Sequence, residues 1–179
     1  MDSQEGYNIK PGCLAPWPYP LGFHSTNRID QLRMAAYMEQ DRFGVTATEL
    51  ETISAKAIAA KDNALCPYSN FRVGACLLTA TGETIIGVNI ESASYPVGIC
   101  AERVAFSTAL TAGHKTFKAI AVSSDITPGV SPCGMCRQFM RDFTTPSFPV
   151  YRYAADGTYS VRTMGELLPD SLGPDDLDK

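Results

Sequence analysis

Cys133-Gly-Met-Cys136 places two thiols three positions apart, directly after Ser131 and Pro132. Residues i and i+3 share one helix face, so a helix starting here aims both sulfurs at one ion. The partial positive charge of a helix N-terminus also favours thiolate over thiol. A lone C-x-x-C suits a dithiol redox pair, or two small core residues, equally well. Cys100 supplies a third sulfur at another expected helix start. Two helices separated by one strand can lie side by side with their N-termini at the same sheet edge. Three thiolates leave a tetrahedral zinc one open position, the catalytic pattern, whereas a fourth ligand closes it. No other Cys or His has a claim. Cys13 lies in a proline-rich stretch, Cys66 and Cys76 precede or lie within a hairpin, and His24 and His114 are expected at the solvent.

Glu102 stands two positions beyond Cys100. At that spacing a carboxylate can flank an ion without binding it, and can move protons for a water whose pKa the ion lowers. The alternative for Glu102 is simple compensation of the helix dipole. Zinc with three thiolates is formally anionic, so positive partners are required. Arg103 and Arg137 each follow a site residue and are expected to hydrogen-bond the sulfurs, Arg103 first because it shares a turn with Cys100. Either arginine could instead form a surface ion pair.

The surrounding pattern supplies the elements that hold these residues. Thr46 to Glu49 fits a capping box, and Leu50, Ile53, Ala57, Ala60 and Ala64 follow at helical spacing, ending before Pro67. Residues 71–79 and 84–91 form a hairpin around "ATGET". Cys100 to Ala112 is a helix closed by Gly113, and 118–124 is a strand. Ser131 is expected to cap the second site helix, with Pro132 at its first position and its end near Phe143. A strand pair around Asp156-Gly157 and a short helix from "MGELLP" finish the chain. This order predicts an α/β fold, a three-layer α-β-α sandwich on one mixed sheet of about five strands. Residues 1–45, proline-rich and then with a short helix expected in "RIDQLRMAAYMEQDRF", form an extension of unassigned role; residues 46–179 are expected to form the catalytic domain.

The 179 residues carry a formal charge of −4 with 45% hydrophobic content. An acidic chain is poorly suited to gripping a polyphosphate backbone, so no nucleic-acid partner is expected. No apolar run approaches the ~18 residues of a membrane span, and the N-terminus lacks the basic start and apolar core of a secretory signal. No membrane partner and a cytoplasmic location are expected, in which the cysteines serve metal or catalysis rather than disulfides.

"CAE" followed by "PCGMC" resembles the zinc nucleoside and nucleobase deaminases, in which the Glu is the acid/base. "CPYSNFRVGA", "GVNIESASYPVGICAER" and "SPCGMCRQ" together resemble cytidine deaminase of the homotetrameric type, over roughly Thr46 to Leu177. The resemblance implies zinc-dependent hydrolytic deamination of cytidine and deoxycytidine to uridine and deoxyuridine, with release of ammonia, in pyrimidine salvage. It implies one zinc per chain with a bound water or hydroxide, held by Cys100, Cys133 and Cys136, and Glu102 as the proton shuttle. It further implies that Phe71 packs on the pyrimidine, Asn89 and Glu91 bind the ribose hydroxyls, Ala93 and Tyr95 lie over the substrate, and Ala101 offers its backbone N–H to the base. Asn89 and Glu91 are i and i+2 at a strand end, so they point to one side. A homotetramer whose pockets neighbouring subunits complete follows from the same resemblance. The segment "SLGP" departs from it: Leu172 stands where an aromatic is common, and a leucine fills space without stacking.

Three rivals remain. A related deaminase could act on a cytosine aminonucleoside. A non-enzymatic structural zinc protein would show a fourth ligand and no use for Glu102. A dithiol redox protein would leave Cys100 and Glu102 idle.

Overall fold

Thr46 opens the first helix, α1 (Ala47–Ala60), with a complete capping box. Its hydroxyl accepts from the Glu49 N–H at 3.2 Å, and its own N–H donates to the Glu49 carboxylate at 2.9 Å. The buried face is Leu50, Ile53, Ala57 and Ala60. Ala64 does not continue it: the chain tightens into a 3₁₀ turn at Lys61–Asn63 and leaves in extended form. The computed structural model describes residues 43–177. The proline-rich stretch, Cys13, His24 and all but the last residue of the helix expected over 28–43 lie outside the described residues.

Five strands follow: β1 (Val73–Thr79), β2 (Thr84–Val88), β3 (Phe117–Ser124), β4 (Pro149–Tyr153) and β5 (Tyr159–Thr163). Between them come α2 (Ala101–Thr111) and α3 (Gly134–Arg141), and α4 (Met164–Leu167) follows β5. The sheet order is β2-β1-β3-β4-β5. β1 is antiparallel to both neighbours, β3 and β4 are parallel, and β4 and β5 antiparallel. The sheet is therefore mixed, as expected.

Alternate residues of each strand face opposite layers. Cys76 and Leu78 of β1, Ala119 and Ala121 of β3 and Tyr151 of β4 pack under α1. Ala75, Leu77, Ile120, Val122 and Val150 pack with Phe106 of α2, Met140 of α3 and Met164 of α4 on the other face. β1 is buried along its whole length because helices cover both sides. His114 is not at the solvent: it is half-buried, with its Nε2 3.6 Å from the Glu83 carboxylate, because Gly113 turns the chain back toward the hairpin.

β2 and β3 both run antiparallel to β1, so they share a direction, and α2 and α3 lead away from their carboxyl ends. That brings the two helix N-termini together, the usual place for a site in an open α/β sheet. Contact between α2 and β2 is at backbone distance. A Cβ at Gly87 would lie 2.3 Å from the Ala101 carbonyl oxygen and 2.5 Å from the Ala105 nitrogen. Gly87→Ala should therefore cost on the order of 3 kcal/mol, the upper end of overpacking, by lifting α2 from the sheet. Urea unfolding should show a lowered midpoint, and the displaced first turn of α2 should lower activity in the protein that remains folded.

Candidate active site

Cys100 is the N-cap of α2 and Cys133 the N-cap of α3, both in extended conformation with no side-chain cap. Their sulfurs are thus free to turn toward each other, and lie 3.8 Å apart. Cys136, in the first turn of α3, completes a cluster whose three Sγ atoms all lie within 4.8 Å of one another. The sequence places Pro132 at the first helical position, but α3 starts at Gly134. The Pro132 carbonyl accepts from Arg137 Nε at 2.8 Å and the Ser131 hydroxyl from Arg137 Nη2 at 3.0 Å. With Ser131 engaged sideways, the capping position moves to Cys133 itself. The helix also ends sooner than expected, at Arg141.

The loop before Cys100 is fastened to the end of β2. Ile90 and Ile99 exchange two backbone hydrogen bonds of 2.9 Å. Arg103 Nη2 donates to the Gly98 carbonyl at 3.3 Å. The same guanidinium faces Cys100 and Cys136, whose sulfurs raise its pKa against the effect of burial. Arg137 spends its donors elsewhere: besides the Ser131–Pro132 loop it reaches the Leu167 carbonyl at 2.8 Å. It braces the loop before Cys133 against α4, and the thiolates lean on Arg103.

Cys100 and Cys136 cannot both ionise alone. Cys100 ionises first, brought down to about 5 by a hydrogen bond from the Cys136 thiol, with Arg103 and Cys133 assisting against burial. Cys136 is pushed far up by the hydrogen bond it gives Cys100, by burial and by the Glu102 charge, with the Cys100 charge adding to these. A divalent cation removes this conflict. A zinc–sulfur bond of about 2.3 Å in tetrahedral geometry puts sulfurs about 3.8 Å apart, whereas a disulfide requires about 2.05 Å. The observed 3.8 Å spacing fits zinc and not a sulfur–sulfur bond. Among the described residues, no fourth Cys, His, Asp or Glu joins the cluster.

Glu102 is only 4% exposed. Burial lifts its carboxyl to about 7, and the nearby Cys100 charge pushes the same way. A carboxyl in that range accepts and returns protons near neutral pH. Ala101, fully buried at the first position of α2, has one of the backbone N–H groups that an opening helical turn leaves without an internal partner.

Phe71, Asn89 and Glu91 are brought together where β1 begins and β2 ends. Asn89 Oδ1 accepts from the Val73 N–H and its Nδ2 donates to the Phe71 carbonyl, both at 2.8 Å. Glu91 Oε2 accepts from the N–H groups of Tyr68 at 2.9 Å and Ser69 at 3.1 Å, and its Oε1 from the Ser69 hydroxyl. The Ser69 hydroxyl, aided by these amides against the opposing effect of burial, holds the Glu91 carboxyl below its ordinary range. Ala93 and Tyr95 lie on the exposed loop before Cys100; Tyr95 is 74% exposed, its ring 5.7 Å from that of Tyr68. Leu172 is exposed, its carbonyl taken by Gln138 Nε2 at 3.1 Å. Sequence reasoning missed Ser69, although "CPYSNF" is a turn signal that puts a hydroxyl beside Phe71.

The chain matches the family model "Cytidine and deoxycytidylate deaminase zinc-binding region" over residues 47–152. Cytidine deaminase of Sporosarcina psychrophila is 41% identical over 129 residues, 72% of this chain and 95% of that protein. A probable cytidine deaminase of Dictyostelium discoideum is 42% identical over 130 residues, 72% of this chain and 87% of its own length. The crystal structure of cytidine deaminase from Burkholderia pseudomallei shares the fold with a TM-score of 0.66 at 41% identity, covering 68% of this chain and 98% of that one. The matched span runs from α1 into β4 and includes all three cysteines and Glu102. On these grounds the chain belongs to the zinc-binding cytidine and deoxycytidylate deaminase family.

Proposed function

We propose that this protein hydrolyses cytidine and deoxycytidine to uridine and deoxyuridine, releasing ammonia. The observation that carries the reading is a buried carboxyl, Glu102, within one helical turn of a three-sulfur cluster at zinc spacing. Cys100, Cys133 and Cys136 would hold the zinc. Bound there, the ion supplies Lewis acidity and brings the pKa of a water toward 7.

The chain's own groups do the rest. Glu102 takes a proton from the attacking water and delivers it to the ring nitrogen N3 as the oxygen adds to C4. It then passes a second proton from that oxygen to the amine, the C4–N bond breaks, and ammonia leaves. Because Glu102 is shielded from solvent, the proton it takes is kept for the substrate. Arg103 offsets the thiolate charge that would otherwise blunt the site. The Ala101 N–H orients the base, the Phe71 ring flanks it, and Asn89 and Glu91 meet the sugar hydroxyls. Arg137 keeps the Cys133 loop in register.

In the same reading the protein is a homotetramer working in cytoplasmic pyrimidine salvage, and residues 46–179 are its catalytic domain. Exposed Tyr68 and Tyr95, whose rings pack 5.7 Å apart, with exposed Val97 on the same loop, support burial of this apolar patch between subunits. The charge of −4 supports a free nucleoside over a polynucleotide. Adding cytidine to zinc-loaded protein should cause steady loss of the cytosine ultraviolet band with stoichiometric ammonia. Zinc-loaded, folded protein that leaves cytidine intact would exclude this function.

A further inference from the structure

The Ser69 hydroxyl joins two groups that the nucleoside reading places at opposite ends of the substrate. It accepts from the Phe71 N–H at 3.0 Å and donates to Glu91 Oε1. The direction is forced, because an amide N–H can only donate and an ionised carboxylate can only accept. A carboxylate offers about four acceptor positions. The Tyr68 and Ser69 amides fill two on Oε2, and the Ser69 hydroxyl fills one on Oε1. Among the described residues no further donor reaches Glu91, so one position on Oε1 is left.

Asn89 is similarly committed, with its amide gripping the Phe71 carbonyl and the Val73 N–H. Phe71 is thus held at its N–H by Ser69 and at its carbonyl by Asn89. Glu91 itself is tied in by its own N–H, which donates to the Leu65 carbonyl at 2.8 Å. Of these contacts, the one from the Ser69 hydroxyl is the only side-chain hydrogen bond that orients the carboxylate.

We infer that Ser69 is a positioning residue for the sugar: it turns Glu91 so that a single Oε1 acceptor meets one ribose hydroxyl. Ser69 thereby sets affinity for the diol while the reacting end at Glu102 is untouched. The inference rests on the nucleoside reading above.

Ser69→Ala should raise KM for cytidine about 10-fold, the effect of one hydrogen bond to a charged group, with kcat within twofold. The inhibition constant of 2′,3′-dideoxycytidine, which keeps the base and lacks the diol, should not move. Ser69→Thr, which keeps the hydroxyl, should restore the cytidine KM. If Ser69→Ala does not fold, Ser69→Cys, a weaker donor, should give a smaller rise confined to cytidine. Equal weakening of both ligands would overturn the inference, since it would mean that Ser69 acts through Phe71 or the loop as a whole. An unchanged KM, or a loss in kcat alone, would overturn it too. Wild-type protein inert toward cytidine would instead remove the parent reading, so the two failures are distinct.

Discussion

Glu102→Gln should hold zinc and bind cytidine, yet turn it over about 10²–10⁴-fold more slowly, the range for removing a general acid–base group. Glutamine fills the same volume and keeps one carbonyl oxygen, so the first turn of α2 has no reason to move. What it loses is the ability to take a proton and give it back. The metal cluster is built from three sulfurs and does not include this side chain. Zinc content should therefore stay at one per chain, which separates this variant from a ligand replacement. Stability should hold or rise. Glu102 is buried, and burial lifts its carboxyl to about 7, so a charge there is costly and a neutral amide removes that cost. Single-turnover measurement with excess enzyme reads the chemical step directly. A rate within tenfold of wild type would place proton transfer on another group.

Cys133→Ala should abolish zinc binding and activity together. Cys133 is the exposed member of the cluster, whereas Cys136 is buried in α3, so truncation at 133 leaves little cavity behind. The loss of stability then reports the metal rather than core packing. A ligand present at about 1,000 times its dissociation constant contributes about 4 kcal/mol, and for a chain of this size that corresponds to roughly 10 °C in Tm. The variant and chelator-treated wild type should melt at the same temperature, each about 10 °C below the zinc-loaded protein. Zinc added back should raise Tm for wild type alone. A variant melting well below the chelated wild type would show instead that Cys133 matters to the fold without metal.

The site was legible in the sequence where chemistry and local structure speak through the same residues. The structure brings the Cys100 and C-x-x-C sulfurs into one cluster with Glu102 buried beside it, and all four sit at helix starts that strand and helix periodicity mark independently. The Thr46 capping box was legible for the same reason, since both partners lie within one turn. Misplaced boundaries fell where a contact from outside the element takes its terminal backbone or capping groups. The expected strand from Phe71 begins only at Val73, because the Asn89 amide takes the Phe71 carbonyl and the Val73 N–H. β2 stops at Val88 because Leu65 pairs with the backbone of Asn89 and Glu91. Helix α3 starts after Pro132 because Arg137, a turn later, binds the loop that would have capped it. None of these contacts leaves a periodic signal. The hairpin, the mixed sheet and the three layers survived these shifts, since they depend on which residues are apolar and not on where a ladder ends.

The central claim is that the three-cysteine cluster holds the zinc that cytidine deamination needs. The most direct test removes metal from the wild-type protein with a chelator and titrates zinc back while following conversion of cytidine to uridine. Activity should be absent without metal, rise linearly with added zinc and saturate at one equivalent per chain. Turnover by the metal-free protein, or saturation at one equivalent in Cys133→Ala as in wild type, would contradict it.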